Sequence, residues 1–214
     1  AQHTDDASCL TEPHSPRTSA SFMVCFPRLL RHRPLATRVL PTEVGADTVR
    51  RAHAVHPIVD LQIEYSIISR NVERTILPTL RELGIAITAY GVLSRGLLSE
   101  RAAHAAQTRG RFPRFQGANL EHNLTLVEAL AQVAHDKGLT VPQLAIAWVS
   151  SRGEDIIPLV GARRLDRLRE ALGAGEVELS SADLARIESA VPAGAAKGDR
   201  YDAHAMASLD SERP

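Results

Sequence analysis

The sequence predicts an α/β fold, a partial (β/α) barrel of the TIM type amounting to about half of one. Three observations carry that prediction. From Val39 onward, strand-like segments alternate with amphipathic helical ones, the pattern of parallel strands joined by helices. Val59-Asp60-Leu61-Gln62-Ile63-Glu64-Tyr65 alternates strictly, with Asp60, Gln62 and Glu64 on one face and apolar residues on the other. A doubly wound sheet buries both faces of its central strands, whereas a barrel strand can turn polar residues toward the lumen near the mouth. The third observation is a count. A whole barrel needs eight βα units in about 200–250 residues, and this chain offers three good strands and a weak one at Val39-Leu40.

Residues 1–38 are rich in Ser, Pro, His and Arg and show no sustained period of two or 3.6. They contain no convincing strand, and Pro13, Pro16, Pro27 and Pro34 interrupt any helix. They are expected to be an irregular segment outside the α/β domain of residues 39–214. After the strand at 59–65, residues 71–83 read as a helix, with Ile76, Leu80 and Leu83 in phase and Gly84 as its stop. Pro78 requires this helix to kink or to begin late. Residues 85–90 form a continuous apolar strand, and a long Arg- and Gly-rich loop covers about 91–118.

Residues 124–137 are a second amphipathic helix, carrying Val127, Leu130, Ala131 and Ala134 on one side. Thr140-Val141-Pro142-Gln143 has the form of a capping box opening the next helix, through Leu144 and Trp148. A strand at 156–160 follows, then a helix marked by Leu165, Leu168 and Leu172. Ser180 or Ser181 caps a last helix with Leu184, Ile187 and Val191 facing inward. The tail from Pro192 is small, polar and expected to be irregular.

Composition narrows the function. Hydrophobic residues at 44% rule out wholesale disorder, and aromatics at 4% argue against an all-β sandwich. Basic and acidic residues number 25 each, so no net field points to nucleic acid or an anionic membrane. Cys9 and Cys25 match no metal spacing and read as reduced thiols. The apolar run at 22–26 is too short to span a bilayer, and Arg28, Arg31 and Arg33 follow rather than precede it. A soluble, cytoplasmic protein is expected, with neither a nucleic-acid nor a membrane partner.

Barrel sites lie at the C-terminal ends of the strands and on the loops after them. Those positions hold Gln62 and Glu64, then Tyr90 with Gly91-Val92-Leu93-Ser94-Arg95-Gly96, then Gly161-Ala162-Arg163-Arg164. A strand-ending Tyr offers a ring for stacking, and a Gly-flanked loop lets backbone amides approach a phosphate. Taken alone, an aromatic plug and an ordinary turn are the simpler readings of these residues, because a lone Gly-containing loop is a weak signal. Arg163 and Arg167 sit at i, i+4 beside a helix start, opposite the Leu165, Leu168 and Leu172 face, and would suit a phosphate monoester. A solvated charged face is the competing reading.

In order along the chain stand Arg51-Ala52-His53 with His56-Pro57, Leu61-Gln62-Ile63-Glu64-Tyr65-Ser66, Ile76-Leu77-Pro78 with Leu83-Gly84, and Tyr90 through Gly96. Pro113-Arg114-Phe115, Gln143-Leu144-Ala145 with Trp148, and Ile157-Pro158 through Glu170 complete the series. Together they resemble the aldo/keto reductase family, in the C-terminal half of its barrel, from about residue 39 to 201. The resemblance implies an NADPH-dependent oxidoreductase that reduces a small aldehyde or ketone. Gln62 would hydrogen-bond the nicotinamide carboxamide and Tyr90 would stack on its ring. Leu93, Arg95 and Gly96 would line the pyrophosphate, with the loop through Arg114 over the cofactor. Arg163 and Arg167 would meet the 2′-phosphate and its ribose, favouring NADP(H), and Glu170 would reach the adenine.

The chain departs from the family pattern in several places. Ala171 stands where the family usually has an adenine-binding Asn, Gly91 where it often has Ser, and Pro41-Thr42-Glu43 where it has Leu-Ser-Asn or Leu-Ser-Glu. The family's Asp, Tyr, Lys and His tetrad lies in the first half of its barrel. Here no Tyr precedes Tyr65 and no Lys precedes Lys137, so no catalytic residue is assigned. A truncated chain, weakly active or inactive alone and self-associating through open barrel edges, is expected. The alternative is a non-catalytic nucleotide-sensing or partner-docking module. Residues His53 and His56 read as surface or packing groups, and no metal is expected.

Overall fold

A computed structural model describes residues 22–24, 41–99 and 102–213 of the protein. Its centre is a three-stranded parallel sheet of β2 (Asp60–Glu64), β3 (Ala86–Tyr90) and β4 (Ile156–Pro158), in that spatial order. Thr42 extends it by a parallel bridge to Gln62. The bridge falls just after the weak strand expected at Val39-Leu40, which lies outside the described residues. Helix α1 (Ala46–Val55) precedes β2, α2 (Ile76–Leu83) joins β2 to β3, and α5 (Val141–Ser151) leads into β4. This is the β-then-helix order of a partial (β/α) barrel.

The alternation of β2 works as the sequence required. Leu61 and Ile63, with Ile87 and Ala89 on β3, are buried in one apolar core with Leu80, Leu130 and Leu144. Asp60, Gln62, Thr88 and Tyr90 alternate with them and are half-buried. Thr88 Oγ1 donates to Asp60 Oδ2 at 2.8 Å, and burial raises the Asp60 pKa. Trp148, fully buried, packs on Tyr65 at 5.5 Å between centroids, with the Arg70 and Arg152 guanidiniums each 5.1 Å from its ring.

Pro78 delays its helix, as its missing N–H requires. Residues Asn71–Glu73 form a single 3₁₀ turn, and α2 begins at Ile76, so the proline falls in its first turn, where no N–H is needed. Gly84 ends α2 in the left-handed conformation at φ +67°. Thr140 and Gln143 make the expected capping box on α5. Ser180 is the cap of α7 (Ser181–Ala190), with a second capping box through Asp183. Lys137 also donates to Asp183 at 2.7 Å, tying α7 to the end of α4 (Gly117–Asp136).

Several expectations need correction. Residues 22–24, read as part of a stretch without strands, form β1 (Phe22–Val24), antiparallel to β5 (Val160–Ala162). Three residues carry too short a pattern to be read, and it is the neighbouring strand edge that orders them. The strand expected at 156–160 divides after β4, and β5 leaves the parallel sheet to pair with β1. The long loop at 91–118 contains α3 (Ala102–Arg109) and two 3₁₀ turns, and α4 starts seven residues early, at Gly117. On α6 (Leu165–Gly173), Ala171 is buried while Leu165 and Leu172 are 60% and 45% exposed. The leucine face therefore does not point into the core. The tail from Pro192 is irregular as far as Asp202, as expected, but then forms α8 (Ala203–Ser208) and a closing 3₁₀ turn. Cys9, Cys25 and most of residues 1–38 lie outside the described residues. No described helix is long and apolar enough to cross a membrane.

Candidate functional site

The C-terminal ends of β2 and β3 carry Gln62, Glu64 and Tyr90, and Glu64 pairs in register with Tyr90. The backbone then turns sharply. Gly91 sits at φ +67°, and Ser94, Arg95 and Gly96 follow at +45°, +56° and +91°. Left-handed conformations at Ser94 and Arg95 are strained for residues with a Cβ, and such strain concentrates where a loop must hold a particular shape. Gly91 has a second constraint, because a Cβ there would stand 3.0 Å from Glu64 Cγ. Both constraints favour glycine at this position.

The loop and α6 enclose a cavity of about 150 Å³. Its apolar walls include Pro142, Ile146, Val160 and Ala171, while Arg167 and Glu170 supply its charged groups and Leu93 closes the loop side. Three of the eight residues expected at the cofactor thus share one cavity. Arg167 Nη1 donates to Glu170 Oε2 at 2.7 Å, and Thr140 Oγ1 donates to Glu170 Oε1 at 2.7 Å. Glu170 is therefore fixed by α6 and by the cap of α5 together. Arg163 lies just before α6, whose cap is Arg164, and its side chain is exposed with no ion pair to a described residue.

Near Tyr90 the site differs in kind. Gln62 is half-buried, and its side-chain amide makes no hydrogen bond to a described residue. Tyr90 Oη receives a hydrogen bond from Arg200 Nη1 at 3.1 Å and lies 3.4 Å from Tyr201 Oη. Burial, then Tyr201 and Glu43, raise the Tyr90 pKa. Arg95 donates to Glu64 Oε2 at 3.4 Å, and its guanidinium sits in the corner of the edge-on pair Phe112 and Tyr201, 4.7 and 4.4 Å from their rings.

Glu64 is buried, and Ser69 Oγ donates to its Oε1 at 2.7 Å. Arg114 lies 3.5 Å from the same oxygen, and Arg200 donates to Oε2 at 3.4 Å. Burial lowers the Arg114 pKa, as do the Arg200 and Arg95 charges, with Glu64 opposing. A larger cavity, about 230 Å³, lies beyond this cluster toward the C-terminal segment, lined among others by Ser69, Arg114, Arg200 and Glu212. None of the eight expected residues lines it, and within it Arg114 and Arg200 are paired with Glu64, and Arg200 also with Glu212.

Sequence reasoning missed Arg200, Tyr201, Phe112 and Ser69. One signal was present, since a carboxylate on a buried strand requires a cation. Nothing in the text said which of many arginines would supply it. No group of three His, Cys, Asp or Glu residues among the described ones could hold a metal. His53 is a packing residue, its Nδ1 accepting from the Ile58 N–H at 3.1 Å.

The model of the aldo/keto reductase family matches residues 42–192. The chain belongs to the aldo/keto reductase family. It is 40% identical over 164 residues to probable aldo-keto reductase 1 of Glycine max, covering 75% of this chain and 47% of that protein. Among solved structures it resembles the glycerol dehydrogenase of Gluconobacter oxydans, with a TM-score of 0.60 at 22% identity over 70% of this chain and 47% of that one. It also resembles a thermostable aldo-keto reductase solved with the inhibitor epalrestat, with a TM-score of 0.54 at 25% identity, over 70% of this chain and 46% of that one. The chain spans about half the length of these relatives. Membership makes this an oxidoreductase-family chain on a partial barrel, in a family whose members generally use NAD(P)H.

Proposed function

We propose that this chain is the nucleotide-holding part of an NADP(H)-dependent aldo/keto reductase that acts on a small aldehyde or ketone. The observation that carries the reading is the cavity joining Leu93, from the strained loop, to Arg167 and Glu170 on α6. Its apolar walls and charged end fit an adenosine carrying a phosphate. Gln62 adds support, because a half-buried amide with no hydrogen bond to a described residue suits another amide.

In this reading Arg163 and Arg167 meet the 2′-phosphate, Glu170 the adenine, and Leu93, Arg95 and Gly96 the pyrophosphate. Tyr90 presents its ring to the nicotinamide and Gln62 holds the carboxamide. The bound cofactor would supply the hydride for carbonyl reduction. The chain's residues bind and orient it, and Tyr90 is not the proton donor, since burial raises its pKa and Arg200 and Tyr201 engage its hydroxyl.

A second reading is nucleotide sensing without turnover, supported by a Tyr90 hydroxyl already engaged by Arg200 and Tyr201. Fluorescence titration of the chain with NADPH and NADH, followed by an aldehyde-reduction assay, tests both. Saturable binding with NADPH preferred and no turnover by the chain alone is the expected result. Failure to bind either nucleotide would remove the proposal.

A further inference from the structure

The C-terminal segment places one guanidinium at the ends of three neighbouring strand positions. Arg200, 4% exposed, pairs with Glu43 just after the Thr42 bridge, with Glu64 at the end of β2, and with the Tyr90 hydroxyl at the end of β3. Behind it, Glu212 Oε1 accepts from Nε at 2.9 Å, and Arg200 Nη2 donates to Ser211 Oγ at 3.1 Å. Arginine's planar fork lets one residue meet so many acceptors, which a lysine ammonium cannot do.

Glu43 shows what this contact holds in place. It sits at φ +51°, a strained conformation that persists only when its surroundings fix it. Its Oε2 is bound by Arg200 and by Ser211 Oγ, and its Oε1 accepts the Glu64 N–H at 2.9 Å. Tyr201, the residue after Arg200, lies under the Arg95 guanidinium. Arg200 thus touches Tyr90, and Tyr201 touches both Tyr90 and Arg95.

We propose that Arg200 is a positioning residue for the dinucleotide: it sets Tyr90 and the Glu43 turn, through its hydrogen bonds, at the strand ends where the nicotinamide is held. This rests on the cofactor reading above and goes beyond it, making the segment after Pro192 part of the cradle. Arg200 acts through Tyr90 and Glu43 rather than by touching the nucleotide.

The test uses the full chain with Arg200→Lys, Arg200→Met, Tyr90→Phe and the Arg200→Lys, Tyr90→Phe double variant. Three quantities are measured, namely NADPH affinity, melting temperature and amide hydrogen exchange. Loss of one charge-assisted hydrogen bond corresponds to about tenfold or more in affinity. Arg200→Lys is therefore expected to weaken NADPH binding about tenfold and, because the positive charge is kept, to melt well above Arg200→Met. Adding Tyr90→Phe to Arg200→Lys should cost nothing further, because both changes break the same contact. Exchange of the Glu64 amide should quicken at least about tenfold in Arg200→Lys or Arg200→Met, with α4 and α5 unchanged.

Unchanged affinity in Arg200→Lys, or fully additive losses in the double variant, would overturn the proposal. Tighter binding in Arg200→Lys would overturn it too, by showing that the segment blocks the site. Should the unaltered chain bind no nucleotide, the cofactor reading fails. Unchanged Glu64 exchange in Arg200→Met would then show that Arg200 positions nothing.

Discussion

Arg167 and Glu170 hold each other across one turn of α6, with Nη1 2.7 Å from Oε2. Two residues expected at the phosphate and the adenine are thus oriented before any ligand arrives. Arg163, exposed and without an ion pair to a described residue, has no such constraint. It is the freer of the two arginines to meet a phosphate.

Arg163→Ala should therefore weaken NADPH binding about tenfold or more and leave NADH binding nearly unchanged. A charge-assisted contact is worth about 1.5–3 kcal/mol, and NADH lacks the group that makes it. Arg167→Ala should weaken both nucleotides, because it also releases Glu170. Parallel titrations of the two variants separate these outcomes, and equal loss of both nucleotides in Arg163→Ala would remove its assigned role.

Ala171 lines the cavity beside Glu170 and is 3% exposed. The family usually has Asn there. Ala171→Asn should tighten nucleotide binding about two- to tenfold, the yield of one added neutral hydrogen bond of about 0.5–1.5 kcal/mol. Titration against the unaltered chain measures it. Weaker binding together with a lower melting temperature would mean the wall cannot accept the larger side chain.

Asp183 predicts a pH effect. Hydrogen bonds from Lys137 and Ser180 hold its carboxyl well below the usual range. A carboxyl whose folded pKa is depressed contributes stability that is fully present above its unfolded value, about 3.9, and is lost as pH falls toward the folded value. Ser180→Ala, which removes the cap, should cost about 1 kcal/mol. Asp183→Asn should lower the urea midpoint at pH 7, and the difference from the unaltered chain should shrink at pH 3. A difference that does not change with pH would exclude this account of Asp183.

What could be read in the sequence was what short-range patterns encode. The alternation of residues 59–65 separated the core face from the lumen face, and Thr140 with Gln143 announced a cap that formed as written. Pro78 told correctly of a late helix start. The leucines of α6 misled, because spacing says which residues share a face but not what that face meets. Leu165 and Leu172 point outward, and small Ala171 makes the buried contact. Arg200 was illegible for a related reason. Its partners Glu43, Glu64 and Tyr90 lie more than a hundred residues away, and no local period marks a single residue clamped by distant carboxylates. The strand β1 was likewise ordered by pairing with β5 rather than by its own three residues.

The central claim is that one face of this partial barrel holds NADP(H) between the end of β3 and the start of α6. Amide hydrogen exchange with and without saturating NADPH tests it most directly, since bound ligand slows exchange where it orders the backbone. Protection should appear at residues 62–64, 90–98 and 162–171, weaker with NADH at 162–168, and α4 should be unaffected. Protection confined to other segments, or none under conditions where NADPH fluorescence reports binding, would contradict the account.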